Sequence, residues 1–304
     1  MTLETPDAAA AGTWQLGDLT VNRIGFGAMR LTQNGAAFSD DRGPHDRNRA
    51  ISVLRRAIEL GVNHIDTAAF YFSPLRSANE LINRALAPYG DDLVITTKVG
   101  PGRGPSGDWQ EWARPEQLRG QVQENIRQLG LDHLDVVNLR ANGPAPIGEQ
   151  FGALAELRKE GLVRHLGLSN VRPDQLAEAR AIAPVVCVQN RYGIGERRGD
   201  CEDVLRTCGE LGIAFVPFYA IAAGGREAGA DLTAEHEVLL DIARAHDASP
   251  AQVRLAWTLR RGPHVLAIPG TGNPAHLEAN VAAGALRLTD DEAGRLTALG
   301  QPAG

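Results

Sequence analysis

Three residues with complementary chemistry follow apolar runs of the chain. Asp66 and Tyr71 stand five positions apart in HIDTAAFY, and Lys98 ends the run LVITTK. A phenol is a weak acid at neutral pH, but a neighbouring ammonium group stabilises the phenolate and lowers the phenol pKa. A carboxylate paired with that ammonium keeps it charged and oriented. A tyrosine tuned in this way can protonate a carbonyl oxygen while hydride reaches the carbonyl carbon.

Each of the three residues also has an ordinary structural interpretation. An aspartate at a strand end can cap a helix, a loop tyrosine can simply pack, and a lysine can form an ion pair. Lysine is rare here, however: among 31 basic residues only Lys98 and Lys159 are lysine. Lys159 lies at a predicted helix end, where a solvated basic side chain is ordinary. Lys98 ends an apolar strand, and arginine could not replace a lysine needed as a compact point charge.

Short apolar runs alternate with longer amphipathic stretches along the chain. The sequence predicts eight strands, over residues 22–27, 62–66, 93–98, 134–139, 164–169, 184–189, 213–218 and 265–270. It predicts helices over residues 47–60, 77–88, 115–129, 147–160, 173–182, 200–211, 234–246, 249–261 and 274–283. Strands nearly continuous in apolar residues, each followed by a helix, are typical of a closed parallel barrel. We therefore predict an α/β fold: a single (β/α)8 TIM barrel with a short N-terminal β segment and auxiliary helices.

One domain accounts for the chain of 304 residues. We expect a disordered tail over residues 1–12 and the barrel domain over residues 13–304, since no linker rich in Pro, Gly or Ser divides them. The alternative is a doubly wound open sheet, because GRGPSG at 102–107 spells the dinucleotide fingerprint G-x-G-x-x-G. Pro105 interrupts it and the next helix starts only near Pro115, so we interpret it as a loop.

Composition and charge exclude several classes of partner. The net charge is −6 and the sequence has no basic block, so neither nucleic acid nor an anionic membrane is expected. No apolar run approaches the roughly 18 residues of a membrane span, and the first residues lack the apolar core of a signal peptide. Cys187, Cys201 and Cys208 have no metal-ligand spacing. They indicate reduced thiols in a cytoplasmic protein, and no metal site is expected.

The strand-end motifs IDTAAFY, ITTK, GLSN and VQN together resemble the aldo-keto reductase superfamily, from about Asn22 to the end of the chain. The resemblance implies an NAD(P)H-dependent oxidoreductase that reduces an aldehyde or ketone to an alcohol. It assigns Tyr71 as the general acid, with Lys98 and Asp66 tuning it. The stretches LDVVNLR and VVCVQN look closest to a bacterial subgroup that includes pyridoxal reductases. That subgroup implies an aromatic or heteroaromatic small-molecule carbonyl substrate.

The resemblance also implies a nicotinamide cofactor. Ser169, Asn170 and Gln189 would hold its carboxamide, and Phe218 would face the nicotinamide ring. The family's cofactor-binding positions fall on Gly27, Met29, Asp66, Ser169, Asn170, Gln189, Phe218, Tyr219, Gly270, Thr271, His276 and Asn280. Gly270 and His276 replace the family's basic pair for the 2′-phosphate, although backbone N–H groups at a helix start still bind phosphate. We expect NADPH, with NADH as the alternative.

Arg140 departs from the family pattern, because histidine commonly stands there as the fourth catalytic residue. Neutral histidine can donate a hydrogen bond and shift its protonation, whereas arginine is a permanent cation with five donors. We expect Arg140 to orient and polarise the carbonyl and to favour ionised Tyr71. The alternative is that Arg140 points away and pairs with an acidic loop residue.

Other interpretations of the sequence remain open. A regulatory or sensor subunit that binds NADP(H) with little turnover is one, because Arg140 alters the fourth position. A metal-dependent barrel hydrolase would need clustered ligands, and the eight histidines are scattered. Loop aromatics could line the mouth as an apolar cage or only pack loop against barrel; they are Phe70, Phe72, Trp109, Trp112 and Tyr192.

Overall fold

Parallel strands surround the centre of the molecule. The computed structural model describes residues 5–33, 46–197, 199–221 and 237–299. The central strands are β3 (Phe26–Gly27), β4 (His64–Asp66), β7 (Val94–Val99), β8 (Leu134–Arg140), β9 (Val163–Ser169), β10 (Val185–Gln189) and β13 (Ala214–Phe215). They form one seven-stranded sheet in the order β13-β10-β9-β8-β7-β4-β3. Such strands are covered on both faces, and all six residues of β7 are buried.

The segment 265–267 closes this sheet into a barrel. Val265 pairs with Phe215 on one edge, and Ala267 pairs with Ile24 on the other, both through parallel bridges. The segment therefore takes the place of the eighth predicted strand. The predicted (β/α)8 barrel is confirmed, and the doubly wound open sheet is not observed in the described part of the chain.

Helices cover the outside of the barrel close to where the sequence predicts them. They are α1 (Arg47–Glu59), α2 (Ala78–Leu86), α3 (Pro115–Leu129), α4 (Gly148–Lys159), α5 (Pro173–Ile182), α6 (Cys201–Leu211), α7 (Glu237–Ala245), α8 (Pro250–Arg260), α9 (Pro274–Ala282) and α10 (Asp290–Ala298). Proline opens α3 and α5, where its missing N–H has no helical partner to lose. Residues 234–236 of the predicted helix 234–246 lie outside the described residues.

Helix α10 is an auxiliary element whose place the sequence analysis did not specify. Thr289 and Glu292 form a capping box at its start, each accepting from the backbone N–H of the other. Trp257 on α8 donates from Nε1 to Thr297 Oγ1 at 3.0 Å, which holds α10 against the barrel's helix layer.

The N-terminal β segment is an antiparallel hairpin of β1 (Thr13–Leu16) and β2 (Leu19–Asn22), as predicted. Before it, Ala8–Ala11 form a 3-10 helix in which Asp7 caps the N–H of Ala9. Ala8 is fully buried and its N–H donates to Leu60 O at 2.8 Å. The predicted disordered tail over residues 1–12 is therefore wrong for this segment, because small apolar alanines pack closely against the barrel. Residues 1–4 lie outside the described ranges.

Two antiparallel ribbons project beyond the central strands. One joins β5 (Phe72–Ser73) to β6 (Arg76–Ser77), and the other joins β11 (Tyr192–Gly193) to β12 (Glu196–Arg197). Each lies in a loop after a central strand, β4 or β10, where a barrel carries its functional groups. Among the described residues, no helix has the length and apolarity needed to cross a membrane.

Candidate active site

Asp66 and Lys98 form a buried ion pair at the carboxyl ends of β4 and β7. These neighbouring parallel strands pair Asp66 with Thr96, which brings the two side chains into the same end of the barrel. Lys98 Nζ lies 2.7 Å from both Asp66 Oδ1 and Asp66 Oδ2. The side chains are only 1% and 5% exposed. An ion pair this dry is stabilised only where geometry and further hydrogen bonds compensate the loss of water.

Further hydrogen bonds complete this ion pair. Gln189, at the end of β10, donates from Nε2 to Asp66 Oδ1 at 2.8 Å. Lys98 Nζ donates to the backbone oxygen of Thr67 at 3.1 Å. Burial alone would lower the pKa of Lys98, but attraction to Asp66 and Tyr71 outweighs burial and raises it. Lys98 is therefore a fixed ammonium group at neutral pH.

Tyr71 lies directly beside this ammonium group. Its ring centroid is 4.9 Å from Lys98 Nζ, and the residue is 7% exposed. Burial raises the pKa of Tyr71, and Asp66 acts in the same direction. Lys98 and Arg140 lower the pKa, but the net shift is upward. The sequence predicts that Lys98 lowers the pKa of Tyr71. Lys98 does lower it, but burial raises it by more. Tyr71 consequently carries its proton at neutral pH and is in the state of a proton donor.

Arg140 ends β8 on the same side of the barrel. Its guanidinium lies 5.8 Å from the ring centroid of Phe218, and its backbone oxygen accepts from Trp112 Nε1 at 2.8 Å. Within the described ranges, no carboxylate lies within ion-pair distance of the guanidinium. The alternative that Arg140 pairs with an acidic loop residue is thus not observed there. Its positive charge is instead close enough to lower the pKa of Tyr71.

Polar residues after β9 and β10 continue the same rim. Ser169 is fully buried, and in the described part of the chain its Oγ has no hydrogen-bond partner. Asn170 follows in the left-handed conformation, with φ of 60°, and its Nδ2 donates to Ala141 O at 3.3 Å. A buried hydroxyl without a partner is costly in a folded protein, so the Ser169 Oγ suits a polar ligand group.

Gly27 and Gly270 meet where the first strand adjoins the closing segment. A Cβ at Gly27 would lie 2.6 Å from Ile268 O, and one at Gly270 would collide with the backbone oxygen of Gly27. Any larger residue would push this rim apart. Met29 follows in the 3-10 helix Ala28–Leu31 and packs partly buried against the core.

The start of α9 lies next along this part of the rim. Asn273 caps the helix by accepting from Ala275 N, and Thr271 Oγ1 in turn accepts from Asn273 N at 3.0 Å. Asn280 is buried on the helix, whereas His276 is exposed. The free N–H groups of a helix start, together with the macrodipole, favour an anion.

Only some residues of the predicted aromatic cage lie near Tyr71 in the structure. Phe70 packs edge-on against Tyr71, with ring centroids 5.1 Å apart, and tilted against Trp109 at 5.7 Å. Trp109 is 51% exposed at the mouth. Phe72 lies under the Arg103 guanidinium, which donates to its backbone oxygen at 2.7 Å. Arg103 belongs to GRGPSG, which is thus a loop that braces the Tyr71 segment.

Tyr192 does not belong to this cage. It is fully buried and stacks on Trp257 at 5.7 Å, with an angle of 13° between the rings. Its hydroxyl donates to Glu202 at 2.9 Å and accepts from Arg261 Nε at 2.8 Å. For Tyr192 the packing interpretation holds. Tyr219 adjoins the mouth instead, with φ of 71° and its ring 4.9 Å from that of Phe218.

A buried polar network behind the ion pair was missed by the sequence analysis. Thr67 Oγ1 donates to Asn79 Oδ1 at 2.7 Å, and Asn79 Nδ2 donates to Asn125 Oδ1 at 2.9 Å. Thr97 Oγ1 donates to that same Asn125 oxygen at 2.6 Å. Thr67 follows Asp66 and Thr97 precedes Lys98, so the network ties both strand ends to α2 and α3. The sequence does carry a signal, since Asn125 interrupts the buried stripe Leu118, Val122 and Leu129 of α3.

A carboxylate, an ammonium group and a protonated phenol at one end of a closed barrel constitute a recognisable catalytic arrangement. The sequence profile of the aldo/keto reductase family matches residues 23–301. The chain belongs to the aldo/keto reductase family. Its likeness to one family member extends over nearly the whole chain: it is 45% identical over 289 residues to pyridoxine 4-dehydrogenase of Escherichia coli, covering 93% of this chain and 96% of that protein.

Further relatives agree with this placement. An oxidoreductase of Schizosaccharomyces pombe is 40% identical over 286 residues, covering 94% of this chain and 89% of that protein. A crystal structure of a Klebsiella pneumoniae aldo-keto reductase in complex with NADPH superposes with a TM-score of 0.76 at 27% identity, covering 93% of each chain. The chain is thus an NAD(P)H-dependent oxidoreductase, as the strand-end motifs indicated.

Among the described residues, no cluster of three or more His, Cys, Asp or Glu side chains is arranged to hold a metal ion.

Proposed function

We propose that this protein reduces an aromatic or heteroaromatic aldehyde or ketone to the alcohol, with NADPH as cofactor. The observation that carries the proposal is the buried Tyr71, whose ring centroid lies 4.9 Å from Nζ of Lys98 in the Lys98–Asp66 ion pair. When bound, NADPH supplies the hydride.

The proton comes from Tyr71. Its hydroxyl donates to the carbonyl oxygen, and the proton follows as negative charge develops there. The phenolate that remains faces the Lys98 ammonium group, which offsets its charge. Asp66 holds that ammonium group in place, and Gln189 fixes the carboxylate in turn. In the reverse reaction, the same phenolate accepts the proton of an alcohol.

Arg140 supplies a second positive group on the approach to Tyr71. Its guanidinium can donate to the carbonyl oxygen and polarise the bond, as histidine commonly does in the family. The effect of its charge on the pKa of Tyr71 supports a position near the reacting oxygen. A donor aimed at developing oxyanion charge typically contributes roughly 10²–10³-fold to kcat.

The cofactor-binding assignment is supported by features of the rim. Ser169, Asn170 and Gln189 would hold the nicotinamide carboxamide, and the buried Ser169 Oγ without a protein partner suits this role. Phe218 would lie against the nicotinamide ring. Gly270, Thr271, His276 and Asn280, around the start of α9, would bind the 2′-phosphate and the adenine, with Gly270 and His276 at the positions of the family's basic pair. Gly27 and Met29 complete the set on the opposite edge.

The substrate class is proposed from the mouth and from the E. coli relative. Pyridoxine, which that relative's name gives as its substrate, is a heteroaromatic alcohol. In this chain Phe70 and Trp109 offer apolar aromatic surfaces for a substrate ring. We also place the protein in the cytoplasm, because its three buried cysteines are all free thiols.

The test is consumption of reduced cofactor with a panel of aldehydes and ketones that includes pyridoxal and benzaldehydes. We expect turnover of aromatic aldehydes, and a lower KM for NADPH than for NADH. Tight cofactor binding without turnover on the whole panel would contradict the proposal and would favour a regulatory or sensor subunit. That outcome would trace to Arg140, since it replaces the usual fourth catalytic residue.

A further inference from the structure

The charges around Tyr71 do not cancel. Lys98 is compensated by Asp66, whose two carboxylate oxygens both contact its Nζ. Arg140 is a second cation near the same phenol, and within the described ranges it has no carboxylate partner. Among the described charged groups that act on Tyr71, the positive charge of Arg140 is therefore the one that no carboxylate compensates.

The environment of Arg140 makes that charge costly once substrate arrives. The guanidinium is partly buried and lies over the ring of Phe218. An aromatic substrate that fills the mouth would exclude water from the cation. A guanidinium deprived of water needs an acceptor, and an uncompensated buried charge is strongly destabilising.

A neutral carbonyl cannot meet this requirement. Its oxygen occupies one N–H of the guanidinium, whereas the planar fork presents pairs of parallel donors. Two adjacent acceptor oxygens match such a pair, and an ionised second oxygen also cancels the charge. An aromatic ring with the carbonyl and an ionised hydroxyl on neighbouring carbons provides both.

We infer that Arg140 is a specificity residue that selects carbonyl substrates carrying an anionic oxygen on the ring carbon next to the carbonyl-bearing carbon. The inference rests on the proposed function for the position of the carbonyl beside Tyr71. One arm of the guanidinium binds the carbonyl oxygen and the other binds the anionic oxygen. The ring of Phe218 lies on one side of the guanidinium, with its centroid 5.8 Å from Cζ. The contact between Trp112 and the Arg140 backbone oxygen fixes the base of the side chain.

The first experiment measures binding and needs no turnover. Calorimetry with the NADP⁺-loaded protein compares 2-hydroxybenzamide, 2-methoxybenzamide and 4-hydroxybenzamide, at an alkaline pH that ionises the phenols. The amides are not reduced, and only the first carries an anion beside the carbonyl. Only 2-hydroxybenzamide can form a charge-assisted hydrogen bond between its ionised oxygen and the Arg140 guanidinium while its carbonyl is bound there. We therefore expect it to bind at least roughly tenfold more tightly than either control.

Two variants test whether Arg140 is the source of this binding preference. In Arg140→Gln the affinity for 2-hydroxybenzamide should come within about twofold of the affinity for either control amide, since the glutamine side chain carries no charge. Arg114→Gln is the matched control, because it removes the same charge from an exposed site where Arg114 pairs with Glu116. It should keep the full preference. An equal preference in Arg140→Gln and wild type, or no preference in wild type, would overturn the inference.

The second experiment repeats the comparison as kcat/KM for the three corresponding benzaldehydes. Turnover of all three without an advantage for 2-hydroxybenzaldehyde would overturn the inference and leave the proposed function standing. No turnover, with the binding preference and its loss in Arg140→Gln still present, would contradict the proposed function and leave the inference standing.

Discussion

Lys98 Nζ lies 2.7 Å from each carboxylate oxygen of Asp66, and neither side chain is more than 5% exposed. The lysine is thus held by its partner in one place beside Tyr71. In a dry site each charge depends on the other, because removal of one partner leaves the other buried and unpaired.

Asp66→Asn should damage both stability and activity. The substitution keeps the shape of the side chain but leaves the Lys98 ammonium uncompensated, which typically costs about 3–5 kcal/mol. Urea denaturation should report that loss, and carbonyl reduction should fall with it. Asp18→Asn is the control, since Asp18 pairs with Arg164 at the surface and its loss should matter far less. Equal stability losses in the two variants would contradict the central position of the Asp66–Lys98 pair.

Arg140→Gln should shift the pH dependence of catalysis toward higher pH. Arg140 lowers the pKa of Tyr71, so its removal raises that pKa further. Reduction needs protonated Tyr71 and should therefore persist to higher pH in the variant. Oxidation needs the phenolate and should begin only at higher pH. Since Arg140→Lys keeps the positive charge, its profile should stay close to that of wild type. A shift of either limb to lower pH in Arg140→Gln would refute this account of the charge.

Asn79→Asp should disturb the Asp66–Lys98 ion pair indirectly, through the buried polar network that contains Asn79. The change removes the Nδ2 donor and sets a carboxylate against Asn125 Oδ1, where wild type has a 2.9 Å hydrogen bond. A broken buried hydrogen bond of this kind costs roughly 1–3 kcal/mol. We expect kcat to fall more than the affinity for cofactor, because the network holds the ends of β4 and β7. Asn83→Asp, one turn along α2 and partly exposed, is the matched control. If both variants keep the wild-type kcat, the network does not position the ion pair.

His64 should make the fold sensitive to acid. Burial lowers the pKa of His64 to about 4, with Asp66 opposing and Lys98 adding to the shift. The unfolded chain takes up this proton near the ordinary histidine pKa of about 6.5, whereas the pKa in the folded protein is about 4. Stability is therefore complete above the unfolded pKa and falls as the pH drops between these values, by about 3 kcal/mol at most.

His64→Gln should remove this part of the acid sensitivity. The measurement is the urea midpoint of wild type and variant at neutral and at mildly acidic pH. Wild type should lose more stability than the variant over that interval. His133→Gln, at an exposed position, should lose as much as wild type. Identical losses in wild type and His64→Gln would rule out a buried neutral His64.

Local signals explain why most of the fold was predictable from the sequence. Proline at helix starts sets the bounds of α3 and α5, which the prediction matched residue for residue. The carboxyl ends of β4 and β7 placed Asp66 and Lys98 together, because parallel neighbours end at one rim. The proximity of Asp66 and Lys98 therefore follows from topology.

Features that depend on distant packing were not predictable in this way. The ribbon after β10 turns Tyr192 away from the mouth and onto Trp257, and neither contact has a local signal. The net pKa of Tyr71 depends on how deeply the loop is buried, which composition does not reveal. Asn125 is different, because a polar residue within a stripe of apolar positions on a helix is a local signal that the sequence carries.

The most direct test of the account is Tyr71→Phe, compared with wild type under saturating NADPH and an aromatic aldehyde. The variant should bind NADPH as wild type does, as seen in a fluorescence titration. Its turnover should fall roughly 10²–10⁴-fold, because only the proton donor is gone. Tyr89→Phe removes a hydroxyl that donates to Leu129 O away from the site, and should leave turnover unchanged. Turnover in Tyr71→Phe within about threefold of wild type would contradict the assignment of Tyr71 as the proton donor.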